Sequence, residues 1–158
     1  MIEKYNKIKH DTEAVKDLLD MAMGRPTPEN INKFLDGFYS EKGHNLFIAL
    51  DKVEITGIMG LDDTASPYGW ILHLAVRPDV RMRGIGRKLI VDTMKALSLK
   101  SVALETDQDA IGFYRACGFE VVEIKSRWHG VRRFRCTRGN MPENVLEYYD
   151  NLKSPGDK

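Results

Sequence analysis

Three strand-like runs in succession, with no helix-length segment between them, constrain this chain more than any other feature. Residues 45–50 (NLFIAL), 53–61 (VEITGIMGL) and 70–76 (WILHLAV) are dominated by Leu, Ile, Val and aromatic side chains. Only Asp51-Lys52 separates the first run from the second, which reads as a hairpin turn. A short polar stretch, residues 62–69, leads to the third. Parallel neighbours need a crossover of about a dozen residues or more, so these strands must run antiparallel. A doubly wound parallel sheet is thereby excluded. The third run is apolar enough for a central strand covered on both faces, and Pro78 stops it.

Helical patterns fill the rest. A first strand is expected within residues 2–9. Asp11 or Thr12 then caps a helix carrying Val15, Leu18, Leu19 and Ala22 on one face, which Gly24 ends. Thr27-Pro28 opens a second helix, with Ile31, Phe34, Leu35 and Phe38 at i, i+3, i+4 and i+7. A third runs from about Gly84 to Leu97. It is followed by a buried strand over Ser101–Glu105 and a short helix from about Asp109 to Cys117. Phe119–Lys125 and Val131–Thr137 read as closing strands, and residues 142–152 as a last helix before a frayed tail. The expected class is α/β, a mixed and largely antiparallel sheet flanked by helices on both faces.

Composition narrows the functional classes. The 158 residues suit one domain. With 24 basic and 23 acidic residues the formal net charge is +1, so the chain lacks the overall basic field of a nucleic-acid module. Cys117 and Cys136 form no CxxC pair, which excludes a disulfide framework and leaves no metal-ligand spacing. No apolar run approaches the roughly 18 residues of a membrane helix, and residues 1–11 lack the apolar core of a signal peptide. A cytoplasmic location without membrane attachment is expected.

The strongest chemical signal is Arg81-x-x-Gly84-x-Gly86, between a buried strand and an amphipathic helix. Glycines allow close backbone approach to a ligand. The first turn of a helix offers unpaired N–H groups and a partial positive charge, which together suit a phosphate or diphosphate. Arg81, Arg83, Arg87 and Lys88 add charge. The P-loop pattern is absent, and a dinucleotide G-x-G-x-x-G would need glycine where Leu89 stands.

Leu72-His73-Leu74-Ala75-Val76-Arg77-Pro78, followed by Arg81-x-x-Gly84-x-Gly86-x-x-Leu89, resembles the acetyl-CoA-binding motif of the GNAT superfamily of N-acetyltransferases. Ala110-x-x-Phe113-Tyr114-x-x-x-Gly118-Phe119 resembles the second motif of that family. The resemblance spans about residues 70–125. It implies a GNAT-like domain over residues 1–140, with splayed central strands, followed by a C-terminal helix and tail over 141–158. It also implies acetyl-CoA as co-substrate, no metal, and a small-molecule or peptide amine as acceptor. A homodimer is common among such proteins. By resemblance, backbone groups of Leu74, Ala75 and Val76 on a bulged strand hold the pantetheine arm. The amides of Met82, Arg83, Gly84, Ile85, Gly86 and Arg87, with Arg81, hold the diphosphate. Tyr114 matches the tyrosine that protonates the departing thiolate. Asp107 stands where the family often has Asn, seven residues before that tyrosine, and can still accept a hydrogen bond.

The acceptor must lose a proton before it attacks, so a base tuned towards neutrality is needed. Glu105, at the end of a buried strand, and His73, on the central strand, are the candidates. The bland readings are an ion-paired Glu105 and a hydrogen-bonded core histidine. Phe113 is expected in the core. Tyr68, Trp70 and Trp128 either line an acceptor pocket or cover apolar surface, and Asp62 and Asp63 read as a solvated loop. The segment Lys125–Arg135 interleaves basic and aromatic residues, a pattern seen in single-stranded nucleic-acid binding. A closing hairpin with Phe134 and Cys136 inward and Arg133 and Arg135 in solvent is the preferred reading. A non-catalytic acyl-CoA sensor is the remaining alternative.

Overall fold

The hairpin expected around Asp51-Lys52 organises the sheet. In the computed structural model, which describes residues 1–152, β2 (His44–Asp51) turns at Lys52, whose φ of 56° is left-handed, into β3 (Glu54–Asp62). The tail expected at 153–158 lies outside the described residues. β1 (Ile2–Lys4) pairs antiparallel with β2, and β4 (Tyr68–Val76) antiparallel with β3. The seven-stranded sheet has the order β1-β2-β3-β4-β5-β7-β6, with β5 at Ser101–Asp107, β6 at Glu120–Ile124 and β7 at Arg133–Arg138. Only β4 and β5 run parallel, joined through α3 (Ile85–Ala96).

Two layers of helix cover this sheet. On one face α3 and α4 (Ile111–Ala116) close a core of Met59, Leu61, Ile71, Leu89, Ile90, Val102, Leu104 and Tyr114. On the other, α1 (Thr12–Ala22) and α2 (Pro28–Asn32) bury Val15, Leu18, Leu19 and Ile31 against Ile48, Ile58 and Ala75. α5 (Glu143–Asp150) lies on this second face, further along the sheet, where Val145, Leu146 and Tyr149 meet Ala103, Tyr68 and Trp70. The C-terminal helix is therefore packed on the same sheet as the rest. Caps follow their chemistry: Asp11 accepts from the amides of Glu13 and Ala14 at the start of α1, and Thr27 from Asn30 at α2.

The second helix departs from its sequence pattern. Beyond Asn32 it widens into a π-turn over Lys33–Gly37 and tightens into 3₁₀ over Phe38–Ser40. Ile31, Phe34 and Leu35 are buried as the stripe requires, but Phe38 leaves it to stack on His44 at 3.8 Å between ring centroids. Tyr39 is thereby turned towards β4.

Candidate active site

β4 and β5 part company. They pair over only three positions, Tyr68–Trp70 with Ser101–Ala103. Beyond these, β4 stays with β3 as far as Val76, and β5 stays with β7 as far as Asp107. A gap opens between them towards their C-terminal ends. β4 also carries an extra residue: Gly60 faces His73 while Leu61 faces Ile71, leaving Leu72 unpaired as a bulge. The bulge inverts the strand's facing. Ile71 lies in the α3 core, whereas Ala75, four residues on, lies in the α1 core.

Backbone polarity along the gap follows from the ladder. The Arg77 amide donates to the Thr56 carbonyl at 2.8 Å. In an antiparallel ladder bonded residues alternate. Ala75 and His73 therefore face β3, while Leu74 and Val76 turn their N–H and C=O groups into the gap. Arg81 Nε donates to the Val76 carbonyl at 3.0 Å and folds the following loop onto the strand end.

That loop leads into α3 through two left-handed residues, Met82 at φ 64° and Gly84 at φ 80°. Gly84 occupies the N-cap position without a side chain to cap, and no acidic residue lies in the first turn. The amides of Ile85, Gly86 and Arg87 precede the first helical bond, from the Lys88 amide to the Gly84 carbonyl. The contrast with the side-chain-capped starts of α1 and α2 is plain. This helix start carries Arg87 and Lys88 against its own dipole, an arrangement suited to an anion. Arg87 reaches the Ala116 carbonyl and Lys88 pairs with Asp92, while Arg83 is exposed. A Cβ on Gly86 would sit 2.8 Å from the Phe113 ring, so that ring covers the first turn of α3.

Phe113 leaves the core expected for it, and Tyr114 is the ring turned inward. Phe113 is 40% exposed, and Tyr114 is 7% exposed, held edge-on between Phe113 and Phe119. A helix this short turns one of two adjacent rings inward, and Gly86 gives Phe113 a surface seat. Burial raises the Tyr114 phenol pKa, with smaller contributions from Cys136, Cys117 and Asp107. Among the described residues the hydroxyl has no hydrogen-bond partner, yet it is not an orphaned buried atom and so keeps some accessible surface. Asp107 ends β5 exposed, and its Oδ1 accepts the Asp109 amide at 3.1 Å, shaping the turn into α4.

The two base candidates sit in different surroundings. His73 is buried on the α1 face, edge-on to Phe34 at 4.5 Å, with its Nδ1 2.5 Å from the Tyr39 hydroxyl. Burial brings its pKa down to about 4, so it is neutral at pH 7 and too weak a base to deprotonate an ammonium. The hydrogen-bonded core histidine is the reading this geometry favours. Glu105 is half-buried on the α5 face. Burial raises its carboxyl pKa, contact with Asp150 raises it further, and Arg135 and Arg133 oppose the shift.

Long-range contacts correct several surface expectations. Asp62 is not solvated. It is buried at the end of β3, 3.1 Å from His44 Nε2, and accepts from Thr64 and from the Tyr149 hydroxyl. Trp70 stacks on Tyr149 at 5.4 Å and, with Tyr68, covers apolar surface beneath α5. Trp128 is exposed, with Arg127 and Arg133 over its ring. Phe134 and Cys136 point inward as expected, but Arg133 and Arg135 are half-buried, with Nε atoms lacking partners among the described residues. Hollows of about 420 Å³, beside Lys95 and Arg138, and about 260 Å³, beside Met1 and Arg83, lie outside the gap. Among the described residues no group of His, Cys, Asp or Glu side chains is placed to hold a metal ion, and no helix is long and apolar enough to cross a membrane.

The family model for an acetyltransferase (GNAT) domain matches residues 42–121, from the start of β2 into β6. The chain belongs to the GNAT acetyltransferase family. Solved structures agree on the GNAT fold. An aminoglycoside 6'-N-acetyltransferase complexed with coenzyme A superposes with a TM-score of 0.74 at 13% identity, covering 90% of this chain and 98% of that one. A GNAT acetyltransferase from Elizabethkingia anophelis with acetyl-CoA bound gives 0.63 at 20% identity, covering 89% and 97%. A candidate streptothricin acetyltransferase from Bacillus anthracis, in complex with acetyl coenzyme A, gives 0.56 at 22% identity over 64% of this chain and 65% of that one. No curated protein matches the sequence. The matched GNAT segment contains the gap, the α3 start and Tyr114, whereas α1, α2, β7 and α5 lie outside it.

Proposed function

We propose that this GNAT protein transfers an acetyl group from acetyl-CoA to a primary amine, by direct attack of the amine nitrogen on the thioester carbonyl. One observation carries the reading: the β4–β5 gap, edged by the Leu74 backbone and the Val76 amide turned away from β3, leads to an uncapped, cation-flanked helix start. Its chemistry suits an elongated ligand with an amide-bearing arm and a diphosphate. Three similar structures were solved with coenzyme A or acetyl-CoA, and two of them are named as a candidate streptothricin acetyltransferase and an aminoglycoside 6'-N-acetyltransferase.

Each residue then has a task. The amides of Ile85, Gly86 and Arg87 hold the diphosphate, and Arg83 adds charge at its rim. Arg81 shapes the loop through Val76, and Asp107 shapes the turn before α4. Leu74 and Val76 align the pantetheine arm as a strand would, and an amide on this edge polarises the thioester carbonyl. Glu105, made more basic by its surroundings, takes a proton from the ammonium so that nitrogen attacks with a free pair. The N–C bond forms and the C–S bond breaks. As the C–S bond breaks, the nitrogen sheds its second proton to solvent, and Tyr114 donates its phenolic proton to the departing thiolate and is reprotonated from solvent. Amide and free thiol result, with one proton released. The acceptor class is a small-molecule or peptide amine.

Thiol release from acetyl-CoA, followed across a panel of polyamines, aminoglycosides, amino acids and peptide N-termini, tests this directly. Amine-dependent turnover that falls in Glu105→Gln is expected. Tight acetyl-CoA binding without turnover on any amine would overturn transfer in favour of a non-catalytic acyl-CoA binder.

A further inference from the structure

α5 ends on a residue that its own dipole disfavours. Asp150 occupies the last position of the helix, whose final turn carries no basic residue. A carboxylate is destabilised at the negative end of a helix. What compensates it is Arg135, whose Nη2 lies 2.6 and 2.7 Å from the two Asp150 oxygens. Arg135 is also the direct cross-strand partner of Glu105 on β5, yet the same Nη2 is 3.7 Å from Glu105 Oε2. One guanidinium nitrogen is thus divided unequally between two carboxylates, and the helix holds the larger share. The helix end is anchored beside them. Tyr149 stacks on Trp70 and donates to the Asp62 carbonyl at 3.1 Å.

Resting on Glu105 as the base, we infer that Asp150 is a positioning residue which sets the proton affinity of Glu105, by lying against its carboxyl and by holding Arg135 away from it. The docked C-terminal helix, outside the matched GNAT segment, thereby decides whether the base is ready at neutral pH. Charged groups facing Glu105 come from α5 (Asp150) and β7 (Arg135 and Arg133), with Asp107 two places along its own strand. On the β4 side of the gap, His73 shares its face and is neutral. With Asp150 in place, burial and a neighbouring carboxylate outweigh the two guanidinium groups, and the Glu105 carboxyl holds its proton more tightly than a free glutamate. With Asp150 uncharged, Arg135 turns to Glu105 and the carboxyl becomes an ion-paired spectator, more acidic and a poorer base.

Titration of full-length protein labelled with ¹³C at glutamate Cδ, the Glu105 signal assigned by its loss in Glu105→Gln, tests the coupling without reference to catalysis. Asp150→Asn should move the Glu105 midpoint to lower pH, Arg135→Gln should move it higher, and Asp150→Glu should restore the wild-type direction. If Asp150→Asn does not fold, Asp150→Ser takes its place, with the same expected direction. An unmoved midpoint, or a shift of the opposite sign, would overturn the inference. The pH profile of kcat/KM reads the base separately. If Glu105 is the base, its acid limb follows the titrated midpoint in each variant. If Glu105→Gln keeps full turnover, the base reading fails while the titration still decides whether Asp150 governs Glu105.

Discussion

At the scale of single residues, the protein sorts its ionisable groups by what surrounds them. Tyr114 is buried with its hydroxyl unpartnered among the described residues, and burial holds the proton on the phenol. In the proposed reaction a phenol kept protonated at rest can hydrogen-bond to, and give its proton to, a thiolate forming beside it. Tyr114→Phe should lower kcat by about 10²-fold or more while leaving the dissociation constant for acetyl-CoA near its wild-type value, as measured by steady-state kinetics and calorimetry. His73 shows the opposite logic. Its folded pKa of about 4 lies below the ordinary 6.5, so the unfolded chain binds the proton more readily. The stability that His73 contributes is complete above about pH 6.5 and is lost as pH falls towards 4, amounting to about 3 kcal/mol in all. Denaturant titrations between these limits should show stability falling with pH, with a flatter dependence in His73→Asn.

At the scale of elements, the decisive feature is a helix start that the chain leaves open. Gly84 is left-handed, and no heavy atom would lie within 4 Å of a Cβ placed there. Gly84→Ala therefore meets no clash, only backbone strain of about 1–2 kcal/mol. Thermal unfolding should report that loss, and acetyl-CoA affinity should fall because the amides of α3 no longer converge. Periodicity made much of this scale legible in the sequence. Every strand and helix occurs in the expected order, and the Arg81–Gly86 motif sits between β4 and α3 as read. The misreadings share one cause, the distance along the chain to the deciding partner. Asp62 is buried because Tyr149 reaches it across 87 residues. Arg133 and Arg135 have the expected facing on β7, but α5 lies on that face and takes Arg135 out of solvent. The π-turn after Asn32, which carries Tyr39 to His73, left no mark on a stripe that continues to Phe38 in the sequence.

At the scale of the whole molecule, charge is balanced overall and uneven locally. The net charge of +1 conceals a cationic rim at the start of α3, where Arg83 is exposed and Arg87 and Lys88 flank the first turn. Exposed charges are screened over about 8–10 Å at ordinary ionic strength. Acetyl-CoA binding should therefore weaken several-fold as salt is raised, whereas S-acetylpantetheine, which lacks the diphosphate, should show little salt dependence in the same calorimetric series. The sheet gives the proposed donor and acceptor different sides to enter from. β4 and β5 separate in the plane of the sheet, so the gap passes between the α3–α4 layer and the α1–α2–α5 layer. Tyr114 stands on the first side and Glu105 on the second, so the proposed proton donor and proton acceptor flank the gap from opposite faces. A crystal of the protein grown with acetyl-CoA measures this arrangement most directly. The account predicts the diphosphate on the amides of Ile85, Gly86 and Arg87, with the thioester threaded between Leu74 and β5 and its sulfur beside the Tyr114 hydroxyl. A cofactor bound in the hollow beside Lys95 and Arg138, or β4 and β5 zipped together beyond Trp70 and Ala103, would contradict it.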